Sequence, residues 1–117
     1  MKLAVTAKGV ELHSPIDPRF GRATYFFVVD TETEETHATD NTMNLNAAHG
    51  AGIQAGKKII ELGAETVITG QVGPKAFATL QAGGIDIFTG ATGTVAEAIE
   101  QFKSGNLTLT ESATHTP

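Results

Sequence analysis

Residues 66–94, TVITGQVGPKAFATLQAGGIDIFTGATGT, contain the pattern that decides the fold of this 117-residue chain. Residues 66–70 form a short, partly β-branched apolar run. Pro74 then fits the first turn of a helix, which the glycine pair at 83–84 would end. A second apolar run follows at 85–88. Two strands joined through a helix run parallel, because the crossover returns the chain to the edge where it began. The segment therefore predicts a β-α-β unit of an α/β sheet.

Further elements extend this unit in both directions. The apolar runs at 3–7 and 25–29 predict strands, and the polar run at 35–40 predicts a hairpin partner at an exposed edge. Apolar residues spaced by three and four from Ala48 to Leu62 predict a helix that ends at Gly63. A capping box, formed by Thr94 and Glu97, opens a last helix. The predicted order is β-β-β-α-β-α-β-α, a single α/β domain.

Composition excludes several classes of function. The chain has no cysteine, which excludes disulfides, thiolate metal sites and cysteine nucleophiles. A formal charge of -5 disfavours nonspecific binding to nucleic acid. No apolar run approaches the roughly 20 residues of a membrane-spanning helix, and the N-terminus lacks a secretory signal pattern. We expect a cytoplasmic monomer with a folded domain over 1–105 and, over 106–117, a weak strand followed by a weakly ordered C-terminal tail.

The strand directions predict where a ligand would bind. If the first strand points up, its hairpin partner points down, and every strand that precedes a helix points up again. Ligands of open α/β sheets bind beyond the carboxyl ends of the parallel strands. The predicted ligand edge thus gathers the connections 8–24, 41–46, 70–74 and 90–94, whereas the acidic turn at 30–35 lies at the opposite end.

The cations and glycines of this edge suggest an anionic ligand. The only two arginines of the chain, Arg19 and Arg22, lie close together in the sequence DPRFGR at 17–22. Glycine turns at 70–74 and 90–94 lead into helices, whose N-terminal N–H groups attract negative charge. Two alternatives stay open: the arginines could pair with Asp17 or Glu11 on the surface, and the glycines could be present for steric reasons alone.

Histidines and catalytic groups give weaker signals. His49 stands beside glycines near the start of the first helix, where an imidazole could bind a metal or could be bonded locally. His37 and His115 are expected on the surface, and His13 is a weaker candidate for a ligand. No serine lies in a nucleophile elbow, and no carboxylate pair is spaced for acid-base catalysis. We therefore expect a protein that is not an enzyme.

Three motifs carry a resemblance to a known family. They are HSPIDPRFGRA at 13–23, NLN at 44–46 with HGAG at 49–52, and TG at 69–70 with VGP at 72–74. In this order, over residues 1–105, they resemble the dinitrogenase iron-molybdenum cofactor biosynthesis family, and most of all its small orange-protein branch. The resemblance implies a ribonuclease H-like motif with a mixed five-stranded sheet flanked by helices. It also implies noncovalent carriage of a molybdenum-copper sulfide cluster, with ATPases of the ParA/MinD type as partners.

One departure from the family pattern concerns the cargo. Carriers of the nitrogenase pathway often have histidine just before the Phe-Gly of this loop, where this chain has Arg19. A guanidinium cannot coordinate a metal, which favours a cluster bound as a whole anion over iron-molybdenum cofactor. Among the site residues, His49 is the one candidate for direct coordination. The predicted cofactor-binding residues are Arg19, Phe20, Gly21, Arg22, His49, Gly50, Gly70, Gly73 and Pro74, with Phe20, Ile16 and Val72 expected to exclude water from the sulfides.

Two other functions remain as alternatives. The chain could be a regulatory module that binds an ATPase and no cofactor. It could also be a hydrolase of the wider ribonuclease H-like fold. Such hydrolases need acidic residues on central strands to hold magnesium, and the first predicted strand has none.

Overall fold

The structure, a computed structural model, describes residues 1–41 and 50–111 and has a mixed six-stranded sheet at its centre. The strands within these residues are Lys2–Ala7 (β1), Tyr25–Asp30 (β2), Thr36–Asp40 (β3), Thr66–Ile68 (β4), Asp86–Thr89 (β5) and Thr108–Leu109 (β6). The helices are Ala51–Glu61 (α1), Pro74–Ala82 (α2) and Val95–Lys103 (α3). The strand order across the sheet is β3-β2-β1-β4-β5-β6.

The strand directions confirm the predicted arrangement. β1 pairs antiparallel with β2 and parallel with β4, β2 pairs antiparallel with β3, and β4 pairs parallel with β5. The carboxyl ends of β1, β3, β4 and β5 therefore lie on one edge of the sheet, called the carboxyl edge below. The loops that leave β1, β4 and β5 all start there. Most of the connection predicted at 41–46 lies outside the described residues.

The sheet has six strands, and the implied count of five is wrong. β6 pairs antiparallel with β5, and the Thr110 amide adds a hydrogen bond of 2.7 Å to the Ile87 carbonyl. The weak strand expected within 106–117 thus joins the sheet as its sixth strand. Both residues of β6 are exposed, so backbone hydrogen bonds rather than apolar burial hold this strand. Residues 112–117, which include His115, lie outside the described part.

Two hydrophobic clusters fill the space between the sheet and the helices. α1 and α2 cover one face, where Ile59 and Leu80 pack with Phe26 of β2. α3 covers the other face, where Val95 and Ile99 pack with inward side chains of the sheet. The layers are therefore α/β/α, and every helix begins near the carboxyl edge because it follows a strand or loop that ends there.

Local signals set the helix ends as predicted. Pro74 is the first residue of α2. At α3 the Glu97 amide donates to Thr94 Oγ1 at 3.2 Å, and the Thr94 amide donates to Glu97 Oε1 at 3.0 Å. Gly63 follows α1 with φ +76, a left-handed conformation that suits glycine. Of the helices described, none has the length and apolar character needed to span a membrane.

Candidate functional site

The first half of the long loop after β1 closes over the start of α3. The amides of Val95 and Ala96 donate to the carbonyls of Ser14 and Leu12, each at 2.9 Å. Because the capping box also satisfies the Glu97 amide, the first turn of α3 has its N–H groups occupied. The expectation of an anion-attracting turn at 90–94 is therefore wrong. Residues about eighty positions earlier supply acceptors that no local pattern reveals.

The second half of the loop docks against the turn after β4. The Gln71 amide donates to the Pro18 carbonyl at 2.8 Å, and the Phe20 amide donates to the Gln71 carbonyl at 3.2 Å. A Cβ added at Gly70 would lie 2.7 Å from the Pro18 carbonyl oxygen, closer than a side-chain carbon normally approaches a backbone oxygen. Glycine at position 70 thus allows the loop backbone at Pro18 to contact the turn after β4. This contact places Arg19 beside the turn at 70–73.

Thr6 of β1 and Thr69, which follows β4, hold the centre of the loop. The Asp17 amide donates to the Thr6 carbonyl at 2.8 Å, and the Thr6 hydroxyl donates to the Asp17 carbonyl at 2.6 Å. The Thr69 hydroxyl of the next strand end lies 2.8 Å from that of Thr6. The backbone at Asp17 is therefore clamped to the end of β1 on both sides.

Arg19 extends from this clamped loop into solvent. Its side chain is 62% exposed, and its Nε lies 3.9 Å from Asp17 Oδ1. Its amide donates to the same carboxylate oxygen at 3.1 Å. The pairing of Arg19 with Asp17 that the sequence left open is thus present, but it leaves most of the Arg19 side chain accessible. Arg22 is exposed on the same loop. Glu11 contacts His13, with Oε2 and Nε2 3.0 Å apart.

The starts of α1 and α2 lie together beside this loop. A Cβ added at Gly21 would lie 3.1 Å from the Cα of Gly52, and one at Gly52 would lie 3.1 Å from the Cβ of Ala76. Gly50 and Gly73 are the N-cap residues of α1 and α2, and neither helix has a side-chain cap from residues 1–41 or 50–111. A side chain at either N-cap would meet no described atom within 4 Å. The starts of the two helices thus lie beside Gly21 of the arginine loop, and helix N-termini favour anions.

Three apolar side chains expected near the ligand lie in the core instead. Phe20 is 1% exposed, and its ring stacks on Phe26 with centroids 5.7 Å apart. Ile16 is 7% exposed and Val72 is 1% exposed. At this burial they anchor the loop and the turn, so their side chains are not positioned to cover a ligand at the surface. The sequence pattern did not predict this burial, because a single large apolar residue in a glycine-rich, charged loop is expected to be exposed.

The structure places several predicted site residues on neighbouring segments. Arg19 lies beside the turn that Gly70 begins, Gly21 packs against Gly52 of α1, and Gly73 and Pro74 start α2. His49 and the 44–46 motif lie outside the described residues. Sequence reasoning missed Thr6 and Gln71 as the residues that hold the loop, since neither type is specific for that role. Within 1–41 and 50–111, no three histidine or acidic side chains are grouped as metal ligands.

The opposite end of the sheet is acidic. Asp30 accepts the amides of Glu32 and Thr33 at 2.9 and 3.3 Å, and these hydrogen bonds hold the pKa of its carboxyl below the ordinary value. His37 is exposed on β3, as expected. The cationic and acidic ends of the molecule are therefore separated, which orients an approaching anion toward the carboxyl edge.

These features define a small mixed-sheet α/β domain whose loops and helix N-termini meet at one cationic edge. The chain belongs to the dinitrogenase iron-molybdenum cofactor family, whose sequence model matches residues 1–105. This confirms the family that the three motifs indicate.

Two relatives of known structure and one found by sequence share nearly the whole chain. The apo form of the orange protein from Desulfovibrio gigas is 40% identical and superposes with a TM-score of 0.94, over 97% of this chain and 96% of that one. A Thermotoga protein solved by NMR is 34% identical with a TM-score of 0.87, over 99% and 98% of the two chains. An uncharacterized protein of Methanocaldococcus jannaschii is 30% identical over 115 residues, covering 92% of this chain and 97% of the relative.

Proposed function

We propose that this protein binds and carries an anionic molybdenum-sulfur cluster noncovalently and does not turn over a substrate. The observation that carries the proposal is the docking of the 17–22 loop beside the uncapped N-termini of α1 and α2. Membership of the dinitrogenase iron-molybdenum cofactor family and similarity to the orange protein support it. A molybdenum-copper sulfide cluster is the preferred cargo, and iron-molybdenum cofactor is the less favoured one.

The donors at the edge suit a cluster that brings its own sulfide ligands. Such a cargo requires positive charge and N–H donors rather than thiolates, and the chain has no cysteine. Arg19 and Arg22 would supply charge-assisted hydrogen bonds, and the N-termini at Gly50 and Gly73 would supply backbone amides. Arginine cannot coordinate a metal, so the cargo would be held as a whole anion. His49 stays the candidate for any direct coordination.

Uptake of the cargo can be measured directly. Apo protein mixed with tetrathiomolybdate and a copper salt is expected to form a visible chromophore that saturates at a fixed ratio and elutes with the protein in gel filtration. Molybdenum and copper analysis of the eluted peak should give the same ratio. The reagents alone and heat-unfolded protein are the controls. Absorbance no greater than that of the reagents would contradict the proposal.

Serine at the N-cap of α2 tests whether the amides of that helix are used. In Gly73→Ser the hydroxyl should accept an amide of the first turn, raising the free energy of unfolding by about a few tenths of a kcal/mol. The same hydroxyl would bond the α2 amide that is proposed to bind the cluster and would fill the space next to position 73. The affinity for the cluster should therefore fall severalfold. Urea unfolding and a chromophore titration measure the two effects. Gly73→Ala separates added bulk from capping, and unchanged uptake in the serine variant would remove α2 from the site.

One observation favours the regulatory alternative. Val10 and Leu12 are 53% and 46% exposed on the loop at the carboxyl edge, and hydrogen bonds such as Lys8 amide to Pro15 carbonyl fix its backbone. Rigid exposed apolar side chains are typical of protein docking surfaces, and an ATPase of the ParA/MinD type is the candidate partner. Colourless, metal-free protein from the native source would favour this alternative. The hydrolase alternative gains no support, since β1 carries no carboxylate.

A further inference from the structure

A buried carboxylate lies within the cationic carboxyl edge. The side chain of Asp17 is 5% exposed, and the two hydrogen bonds to Thr6 prevent its backbone from shifting. Burial of a charged group is costly without compensating partners. Within the described part of the chain, its carboxylate contacts Arg19 twice, at the amide (3.1 Å) and at Nε (3.9 Å). An anion-binding edge would hold more positive charge without this residue, so its position calls for an explanation.

We propose that Asp17 competes with the anionic ligand for the guanidinium of Arg19, and this inference rests on the proposed function. In the ligand-free protein the carboxylate holds the guanidinium at the loop. A ligand that binds draws the guanidinium toward itself, while the clamp at Thr6 keeps Asp17 in place. An anion gains the contact only by displacing the carboxylate from Arg19. Asp17 is therefore a positioning residue that holds Arg19 at the loop in the ligand-free protein and lowers the affinity for anions that must displace it.

The exposure of Arg19 and the length of its ion pair with Asp17 set the size of the effect on anion affinity. Arg19 is 62% exposed, and the ion pair is long at 3.9 Å, so solvent weakens the competition. Exposed ion pairs of this kind correspond to roughly a two- to fivefold change in a binding constant. Asparagine keeps an oxygen that can accept the Arg19 amide, so Asp17→Asn removes the charge without removing the turn.

Four variants test the competition by titration with tetrathiomolybdate. Asp17→Asn should bind about two- to fivefold more tightly than the wild type. Asp86→Asn, an equal charge change on the exposed far end of β5, should bind like the wild type. The double variant Arg19→Gln with Asp17→Asn should bind tetrathiomolybdate no more tightly than Arg19→Gln alone. Unchanged or weaker binding in a folded Asp17→Asn would overturn the proposal. A gain that persists without Arg19 would also overturn it, because Asp17 would then repel the anion directly.

A second readout requires no cluster. Proton exchange at Arg19 Nε, followed by ¹⁵N NMR in the apo protein, should be slower in the wild type than in Asp17→Asn. Equal exchange rates would overturn the inference whatever the protein binds. Failure of the wild type to take up tetrathiomolybdate would defeat the proposed function alone. In that case the Nε exchange and a titration with molybdate would still decide the role of Asp17. Asp17→Ser, which also keeps a short acceptor, replaces the asparagine variant if that one does not fold.

Discussion

Replacing both arginines of the carboxyl edge, Arg19→Gln together with Arg22→Gln, is expected to weaken cluster uptake by about tenfold to a hundredfold. A hydrogen bond to a charged group contributes roughly 1.5–3 kcal/mol and a neutral one roughly 0.5–1.5 kcal/mol, so each substitution loses about 1 kcal/mol, and about 1.4 kcal/mol corresponds to tenfold in affinity. Glutamine keeps N–H donors but removes the charge, so the variant isolates the electrostatic part. A titration with tetrathiomolybdate and copper, followed by absorbance, gives the dissociation constants.

The matched control removes two lysines that lie away from the edge. Lys57 is exposed on α1, and Lys103 is the exposed last residue of α3. Lys57→Gln with Lys103→Gln changes the net charge equally, and it should leave uptake near the wild-type value. Thermal unfolding shows whether the arginine variant stays folded, since Arg19→Gln removes the guanidinium that pairs with the buried Asp17 carboxylate. Equal affinities in the two double variants would remove the arginines from the site.

Alanine at position 70 is expected to damage the fold and the site together. Its Cβ would lie 2.7 Å from the carbonyl oxygen and 2.8 Å from the Cα of Pro18. These are backbone atoms, so the 17–20 loop must move away from the β4 turn. Overpacking of this kind costs roughly 1–3 kcal/mol, which lowers the melting temperature by about 4–8 °C per kcal/mol in a domain of this size. Cluster uptake should fall as well, because the shift carries Arg19 away from the turn at Gly70–Gln71.

The control for Gly70→Ala is the same substitution three residues later. A Cβ at Gly73 meets no described atom within 4 Å, so Gly73→Ala loses only the modest N-cap preference for glycine over alanine. Thermal unfolding of the two variants should therefore differ by several degrees. Similar melting temperatures would show that the loop does not press against the β4 turn in solution.

Much of the fold was predictable because its signals are local. Pro74 marks the start of α2, and Thr94 with Glu97 marks the start of α3, since each signal acts within one helical turn. The parallel direction of β4 and β5 follows from the helix between them. β6 was expected only as a weak strand and was not counted in the sheet, because it has two exposed residues and no apolar periodicity.

The site was predictable in its residues but not in its contacts. Arg19, Gly21 and Gly70 stand in motifs that a reader of the sequence can single out. Their contacts depend on Pro18, Gly52 and Gln71, residues up to about fifty positions away. Phe20 was expected beside the ligand, and it is buried because the loop folds back on the sheet.

The sequence by itself determined the order and direction of the strands, the starts of α2 and α3, and the edge at which two arginines and several glycines gather. Tertiary structure alone decided which helix N-termini stay open there. The Leu12 and Ser14 carbonyls of the loop accept the first amides of α3, whereas no described side chain caps α2. The physical reason is range: periodicity and capping act over a few neighbouring residues, whereas the partner of a backbone amide is chosen by how distant segments pack.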